Sequence, residues 1–364
     1  MALPCHVAAF FYLWYGVPLH DGKYLHWDHA ILPHWTKAVN AQYPSIGTRH
    51  DAANGQLHSR FYPQGGAYSS RHPATLDRQF DAMASAGVQI AVLSWWGQAA
   101  RKGTSDTQGV STDAVIHLAI QAAELSGRVQ VAFHLEPYEG RSAGSVAEDV
   151  QYLERRFGNS SALQRIEGRP VYYVYDSYHV ASMDWKAVLP KLRGYFVALW
   201  LDAGGGAAAL AGGFDAVYTY FGSDGFSYGS SSSNWESMAA FAAENALGLS
   251  LSVGPGYDDS GIRPWNAANT KSREGGAYYA RQWASARSAL GCSAMRRHMS
   301  RGGELMGSVS ITSWNEWGEG TQIEAAEARE GYQDYGRGMG PAGYLDATKR
   351  QGALLCAADQ GKEL

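Results

Sequence analysis

Eight apolar runs recur along the chain, at 7–16, 90–97, 129–137, 169–177, 195–201, 216–221, 249–256 and 307–317. Most, such as VQVAFHLEP and RPVYYVYDS, are too continuous for strands with one wet face. They suit strands buried on both faces, as in a parallel sheet covered by helices. Helical stripes lie between them. Leu76, Phe80, Met83 and Ala84 form one; Val115, Leu118, Ala119 and Ala122 form another, behind Ser111 and Thr112 as candidate caps. Ser145 and Glu148 have capping-box spacing ahead of Val150, Leu153 and Phe157. Trp185, Val188, Leu189 and Leu192, then Trp235, Met238, Phe241 and Ala242, continue the series, and an Ala-rich helix is expected from Gly276 to Leu290. The stretch from Asp202 to Gly213 carries the weakest helical signal, because each interior glycine costs about 1 kcal/mol. Its GGG at 204–206 reads as a turn.

Eight strands with crossovers predict an α/β fold, a (β/α)8 TIM barrel with long loops at the C-terminal face of the strands. No internal repeat or linker divides the chain, so it reads as a single catalytic domain over 1–364. An open doubly wound sheet would need a phosphate-binding glycine loop after its first strand. The sequence there is GVPLHDGKYLHW, without G-x-G-x-x-G. The first connection, from Gly16 to Arg71, is too long for a plain loop and is expected to cover the barrel mouth. A polar loop at 222–234 follows the sixth strand, and ALLCAA at 353–358 is expected to pack as a last segment.

Several function classes are excluded by charge and hydropathy. A net charge of -4 offers no basic field for nucleic acid. No apolar stretch reaches about 18 residues, so no membrane span is expected. Met1 to Pro18 lacks a basic leader and reads as a barrel strand, not a signal peptide. The three cysteines, Cys5, Cys292 and Cys356, cannot all pair within the chain; one disulfide or three buried thiols both fit. Twelve Trp, 22 Tyr and 11 Phe are many for a chain of this size and fit either core or sugar-stacking platforms.

Polar residues collect at the strand ends, where barrels carry their chemistry. His134, Glu136, Tyr138 and Glu139 end the third run, Asp176 and His179 the fourth, Tyr218 and Tyr220 the sixth. The densest signal is TSWNEWGEGTQIE at 312–324, with Asn315, Glu316, Glu319 and Glu324. Two neighbouring carboxylates can be pushed apart in proton affinity, giving the acid and the second group that glycoside cleavage needs. The same residues also fit a salt-bridged loop around a buried tryptophan. Glu136 and Asp176 fit either functional or satisfied structural carboxylates. A metal site has weaker support: HLE at 134–136 is not HExxH, His26, His29 and His34 lie in a polar loop, and no Cys/His ligand spacing occurs. There is no G-x-S-x-G elbow.

The ordered motifs FYLWYGVP (11–18), LSWWG (93–97), FHLEPYEGR (133–141), YVYDSYH (173–179), GPGYDDSGIRPWN (254–266) and SWNEWGEGTQIE (313–324) span nearly all of the chain. In them the sequence resembles glycoside hydrolase family 99, the endo-α-1,2-mannosidases and endo-α-1,2-mannanases. The resemblance implies a (β/α)8 fold, no cofactor and no metal, and an α-mannoside oligosaccharide or polysaccharide as partner. It implies retaining internal cleavage, with Glu319 as general acid and Glu316 as the base that deprotonates the sugar 2-hydroxyl to give a 1,2-anhydro intermediate. Tyr15, Trp96, His134, Glu136, Tyr220, Arg263, Trp265 and Asn315 are the implied substrate-binding residues, with a structural ion pair as the other reading of Arg263. Two departures stand out: Gly318 occupies a position where many relatives have histidine, and the pair Trp95–Trp96 resembles the bacterial, mannan-directed members. The implied compartment is periplasmic or extracellular for a bacterial source and the Golgi lumen for a trimmed eukaryotic one. The resemblance carries no oligomeric state.

Overall fold

A computed structural model of the chain describes residues 6–291, 307–336 and 338–359. Eight strands form its centre: β1 His6–Phe11, β2 Ile90–Trp95, β3 Gln130–Leu135, β4 Arg169–Val174, β5 Tyr195–Leu199, β6 Ala216–Tyr218, β7 Gly248–Val253 and β8 Gly307–Ile311. Each pairs in parallel with the next, and β8 pairs with β1, so the sheet closes. Closure leaves the barrel no free edge. The expected (β/α)8 architecture is therefore the observed one.

Register explains the runs. Phe10 sits opposite Val92, Ser94 opposite His134, His134 opposite Tyr173, and Tyr218 opposite Ser250. These residues face the barrel lumen. There Phe10 packs its ring 4.8 Å from His134, 5.8 Å from Tyr173 and 5.7 Å from Tyr218. His134 Nε2 meets the Tyr218 hydroxyl at 2.8 Å across the lumen. On the opposing strands Ser250, Ser252 and Ser310 are small and hydrogen-bond one another. Bulky rings on one side and small hydroxyls on the other fill the lumen without overlap. The alternate residues point outward to the helices: Phe11 meets Phe80, and Phe133 meets Phe157.

Among the described residues eight helices of seven residues or more follow the strands: α1 Pro73–Ser85, α2 Asp113–Ser126, α3 Ala143–Phe157, α4 Ser182–Val188, α5 Gly205–Gly212, α6 Trp235–Glu244, α7 Ala277–Leu290 and α8 Gly343–Asp359. Local expectations needed three corrections. The capping box of α3 joins Ser142 and Ser145, not Ser145 and Glu148; Ser142 is extended, which aims its hydroxyl at the Ser145 amide, while Glu148 pairs with Arg101. Thr112 precedes α2 without a capping hydrogen bond, being already helical in φ and ψ. Of the glycines at 204–206 only Gly204 lies in a turn; Gly205 and Gly206 open α5. A Cβ at Gly206 would stand 2.6 Å from the Trp200 ring, so glycine is what lets this helix approach the barrel.

Between β1 and α1 the long connection folds as short helical turns and a two-residue strand, Tyr62–Pro63, paired with Ala326–Glu327. The tail packs α8 against α1 and α7. Cys356 on α8 is disulfide-bonded, and Cys5 and Cys292 both lie outside the described residues. Among the described residues no helix is long and apolar enough to cross a membrane.

Phe10 touches four aromatic rings inside the lumen, so truncation leaves a cavity that the closed barrel cannot collapse. Phe10→Ala is expected to cost about 3–5 kcal/mol, read as a lower urea midpoint at unchanged slope.

Candidate active site

The segment after β8 turns back into the barrel mouth and is held there by hydrogen bonds to the end of β1. Asn315 does most of this. Its Oδ1 accepts from the Tyr12 amide at 2.8 Å, and its Nδ2 donates to the Tyr12 carbonyl at 2.9 Å. The Tyr15 hydroxyl donates to the Asn315 carbonyl and accepts from the Trp317 amide. Trp317 is fully buried, with its indole N–H shared between the Tyr68 hydroxyl and Glu324. Glu324 in turn accepts from Tyr68 and Gln79, so a buried carboxylate satisfied on both oxygens anchors the loop from below. Glu316 receives the Gly318 amide at 3.0 Å, and the Glu316 amide donates to Ser313.

This scaffold aims Glu316 and Glu319 into a cavity of about 150 Å³. Tyr12, Trp14, Trp96, Glu136, Tyr220 and Arg263 join them in its lining. A larger cavity of about 560 Å³ lies elsewhere, beside Gln79 and Glu324, but no carboxylate pair converges there. Arg263 Nη1 sits 3.1 Å from Glu319 and 3.1 Å from Asp259, which also accepts from Asn266. Glu136 accepts from Ser94 and meets His134 Nδ1, both at 2.8 Å. The Tyr220 backbone is left-handed, with φ 54, and its carbonyl accepts a hydrogen bond from Thr312. Its hydroxyl lies 2.5 Å from that of Tyr12. A non-glycine residue in this region stores strain of order 1 kcal/mol, which the surrounding bonds hold in place.

Electrostatics separates the two carboxylates. Burial, and then the charge of Glu319, pushes Glu316 well above the usual carboxylate range. Burial also raises Glu319, but the Arg263 guanidinium beside it opposes the rise. Burial holds the Tyr12, Tyr15 and Tyr220 phenols well above their ordinary value, so all three stay neutral. Two like charges this close favour a state in which the pair holds one proton.

The sequence-derived site residues separate into two groups. Trp96, Glu136, Tyr220, Arg263, Glu316 and Glu319 line the cavity. Tyr15, His134 and Asn315 are fully buried behind it and act on its walls. Trp265 lies apart, its indole bonded to the Leu32 carbonyl and its ring against His34 and the exposed Trp35. The ion pair expected as one reading of Arg263 is present, and its partner is Glu319 itself. Sequence reasoning passed over Tyr12, Trp14 and Tyr175, although the first two lie within FYLWYG. Thr107 was passed over as well, and His26 and His29 stood only as a weakly supported metal site; all three reach the cavity from long loops. His26 Nδ1 meets Asp106 at 2.8 Å, which ties the first loop to the loop that follows β2.

Comparison with known proteins agrees with this architecture. The family model described as glycosyl hydrolase family 99 matches residues 2–352. A Mus musculus protein named glycoprotein endo-alpha-1,2-mannosidase is 37% identical over 362 residues, covering 94% of this chain and 73% of the relative. A Homo sapiens glycoprotein endo-alpha-1,2-mannosidase-like protein is 37% identical over 361 residues, covering 94% and 74%. The solved GH99 endo-alpha-mannosidase from Bacteroides thetaiotaomicron superposes with a TM-score of 0.83 at 30% identity, covering 98% of this chain and 99% of that one. The carboxylate pair in the mouth of a closed barrel thus sits in a chain that belongs to glycosyl hydrolase family 99, and the protein is a glycoside hydrolase.

Proposed function

We propose that the protein is an endo-α-1,2-mannosidase that cleaves internal α-mannosidic links of oligosaccharides or mannans with retention, as a single catalytic domain. The observation that carries this reading is the pair Glu316 and Glu319, the first buried and the second partly exposed, held in one cavity with a guanidinium bonded to only one member. Its family membership and the names of its relatives support the substrate class. The cavity wall suits a pyranose. Tyr12 and Trp14 stack at 4.6 Å, and Trp96 lies 6.4 Å from Trp14, giving flat apolar surface beside polar groups. Among the described residues the buried indole N–H of Trp96 has no hydrogen-bond partner.

In an α-mannoside the axial 2-hydroxyl is trans to the leaving oxygen and can attack C1 from the opposite face. In the proposed reaction Glu316 takes the 2-hydroxyl proton as O2 bonds C1, while Glu319 gives its proton to the departing oxygen. Water then opens the 1,2-anhydro ring with the proton movements reversed, which restores the original anomer. The roles require Glu316 ionised and Glu319 protonated when the substrate is seated. In the free protein Arg263 favours charge on Glu319. Productive binding therefore includes passage of the shared proton from Glu316 to Glu319. The Arg263 ion pair also favours a second reading, in which Glu319 is the base and Glu316 the acid.

Substrates with different leaving groups separate the two. Glu316→Gln and Glu319→Gln are each expected to lower turnover of an α-1,2-linked mannoside by about 100- to 10,000-fold. With a glycosyl fluoride, whose departure needs no proton donor, Glu319→Gln regains turnover and Glu316→Gln does not. The reverse pattern establishes the second reading, and full activity of both variants on the mannoside removes the proposal. Disaccharide release with the α-anomer formed first, followed by NMR, tests internal action and retention.

Removing the Arg263 charge has a defined sign. The guanidinium lowers both glutamates, so Arg263→Gln raises both and moves each limb of the pH–rate profile toward higher pH. Stability moves with the same pair. The pKa of Glu316 is higher folded than unfolded, so the stability it contributes is complete below about pH 4 and is lost as pH rises. Glu316→Gln should therefore melt above the wild type at pH 7.5, with the gap closing near pH 4 in thermal scans.

A further inference from the structure

Three imidazoles from the first loop gather beside Glu316. Their ring centroids are 4.9 Å apart for His26 and His29, 5.3 Å for His26 and His58, and 5.7 Å for His29 and His58. One ligand atom from each of His26, His58 and Glu316 lies within 4.8 Å of the other two, and all three residues are buried. Glycoside cleavage as described uses Glu316 and leaves His26 and His58 without a part.

His58 is the informative member. It is fully buried, and its Nε2 has no hydrogen-bond partner among the described residues. Nδ1 faces the Trp27 carbonyl at 3.3 Å, so Nδ1 carries the proton and Nε2 the lone pair. A buried polar atom left unpaired costs about 1–3 kcal/mol. His26 is arranged differently. Its Nδ1 bonds the Asp106 carboxylate, the pattern that fixes the tautomer and raises the basicity of metal-binding histidines. Gly318 contributes by having no side chain. A Cβ there would stand 3.0 Å from His58 Nε2 and 3.2 Å from Glu316 Oε1, so nitrogen and oxygen face the same space.

We propose that His26, His58 and Glu316 form an inhibitory binding site for a divalent transition-metal ion, with Zn²⁺ the best-matched occupant. Two imidazoles and a carboxylate suit Zn²⁺ chemically and leave room for water as the fourth ligand. Ligands of a tetrahedral Zn²⁺ stand about 3.4 Å apart, given bonds of about 2.0–2.1 Å. Side-chain rotations of about 1 Å therefore assemble the site. Coordination commits the Glu316 carboxylate to the ion, so it no longer accepts a proton from the sugar. The inhibitory consequence rests on the α-mannosidase reading; metal binding does not.

The test uses the full chain, stripped with chelator and desalted. Calorimetric titration with ZnCl2 should give one ion per chain, and CoCl2 should give the visible bands of a four- or five-coordinate site. Zn²⁺ should abolish α-mannosidase activity, with recovery on adding EDTA and partial protection by substrate. His58→Gln and Asp106→Asn should each weaken Zn²⁺ binding by at least about tenfold, with circular dichroism confirming the fold. If either fails to fold, Gly318→Ala provides the same readout by filling the space between the ligands. No stoichiometric uptake, uptake unchanged in the variants, or uptake without inhibition overturns the proposal. A metal-free protein inactive on every α-mannoside instead removes the functional reading, while calorimetry still judges the metal site.

Discussion

The Asn315 side chain joins the last strand of the barrel to the first. Its amide makes paired hydrogen bonds with the Tyr12 backbone, in the manner of a ladder rung where the strands have already ended. An asparagine is suited to this because it carries a donor and an acceptor at the spacing of a peptide group. The bond pair extends barrel closure into the active-site loop, so Glu316, the next residue, inherits the rigidity of the sheet. Tyr15 and Tyr68 then hold the Asn315 carbonyl and amide from the β1 side. A carboxylate placed this way need not be ordered by substrate, which is how positioning lowers a barrier.

That rigidity lets the loop bear unfavourable electrostatics. Glu316, Glu319 and Glu324 are all pushed above the usual carboxylate range, in each case mainly by burial. They are compensated unequally. Glu324 accepts hydrogen bonds from three side chains and is structural. Glu319 has one guanidinium. Glu316 has backbone amides but no cation of its own. The gradient from satisfied to unsatisfied runs toward the cavity, the direction in which a sugar hydroxyl would arrive.

Much of this was legible in the sequence because it is written in local patterns. Buried strands read as continuous apolar runs, and the eight crossovers follow from their spacing. Glu316 and Glu319 stood out as two neighbouring carboxylates in the densest polar segment at a strand end, within a motif of the family. The rest depended on tertiary partners that no local pattern reveals. Asn315, Tyr15 and His134 are substrate-binding residues by the family resemblance; the hydrogen bonds they make to buried backbone and side-chain groups are what no local pattern shows. Gly205 and Gly206 argued against a helix by propensity, but the approach to Trp200 outweighs that cost. His26 and Asp106 meet across 80 residues of sequence, so neither loop alone announces the contact.

Gly318 shows how a single position couples these levels. Its amide donates to Glu316, a bond any residue could supply. What only glycine permits is the approach of the His58 ring, since a Cβ would stand 2.8 Å from its Cδ2. The first loop can therefore press an imidazole against the segment that follows β8. Specific packing of this kind makes the long connection part of the site and not a cover over it. The His58 nitrogen, unpartnered among the described residues, faces Glu316 Oε1 across the space that a Cβ would fill.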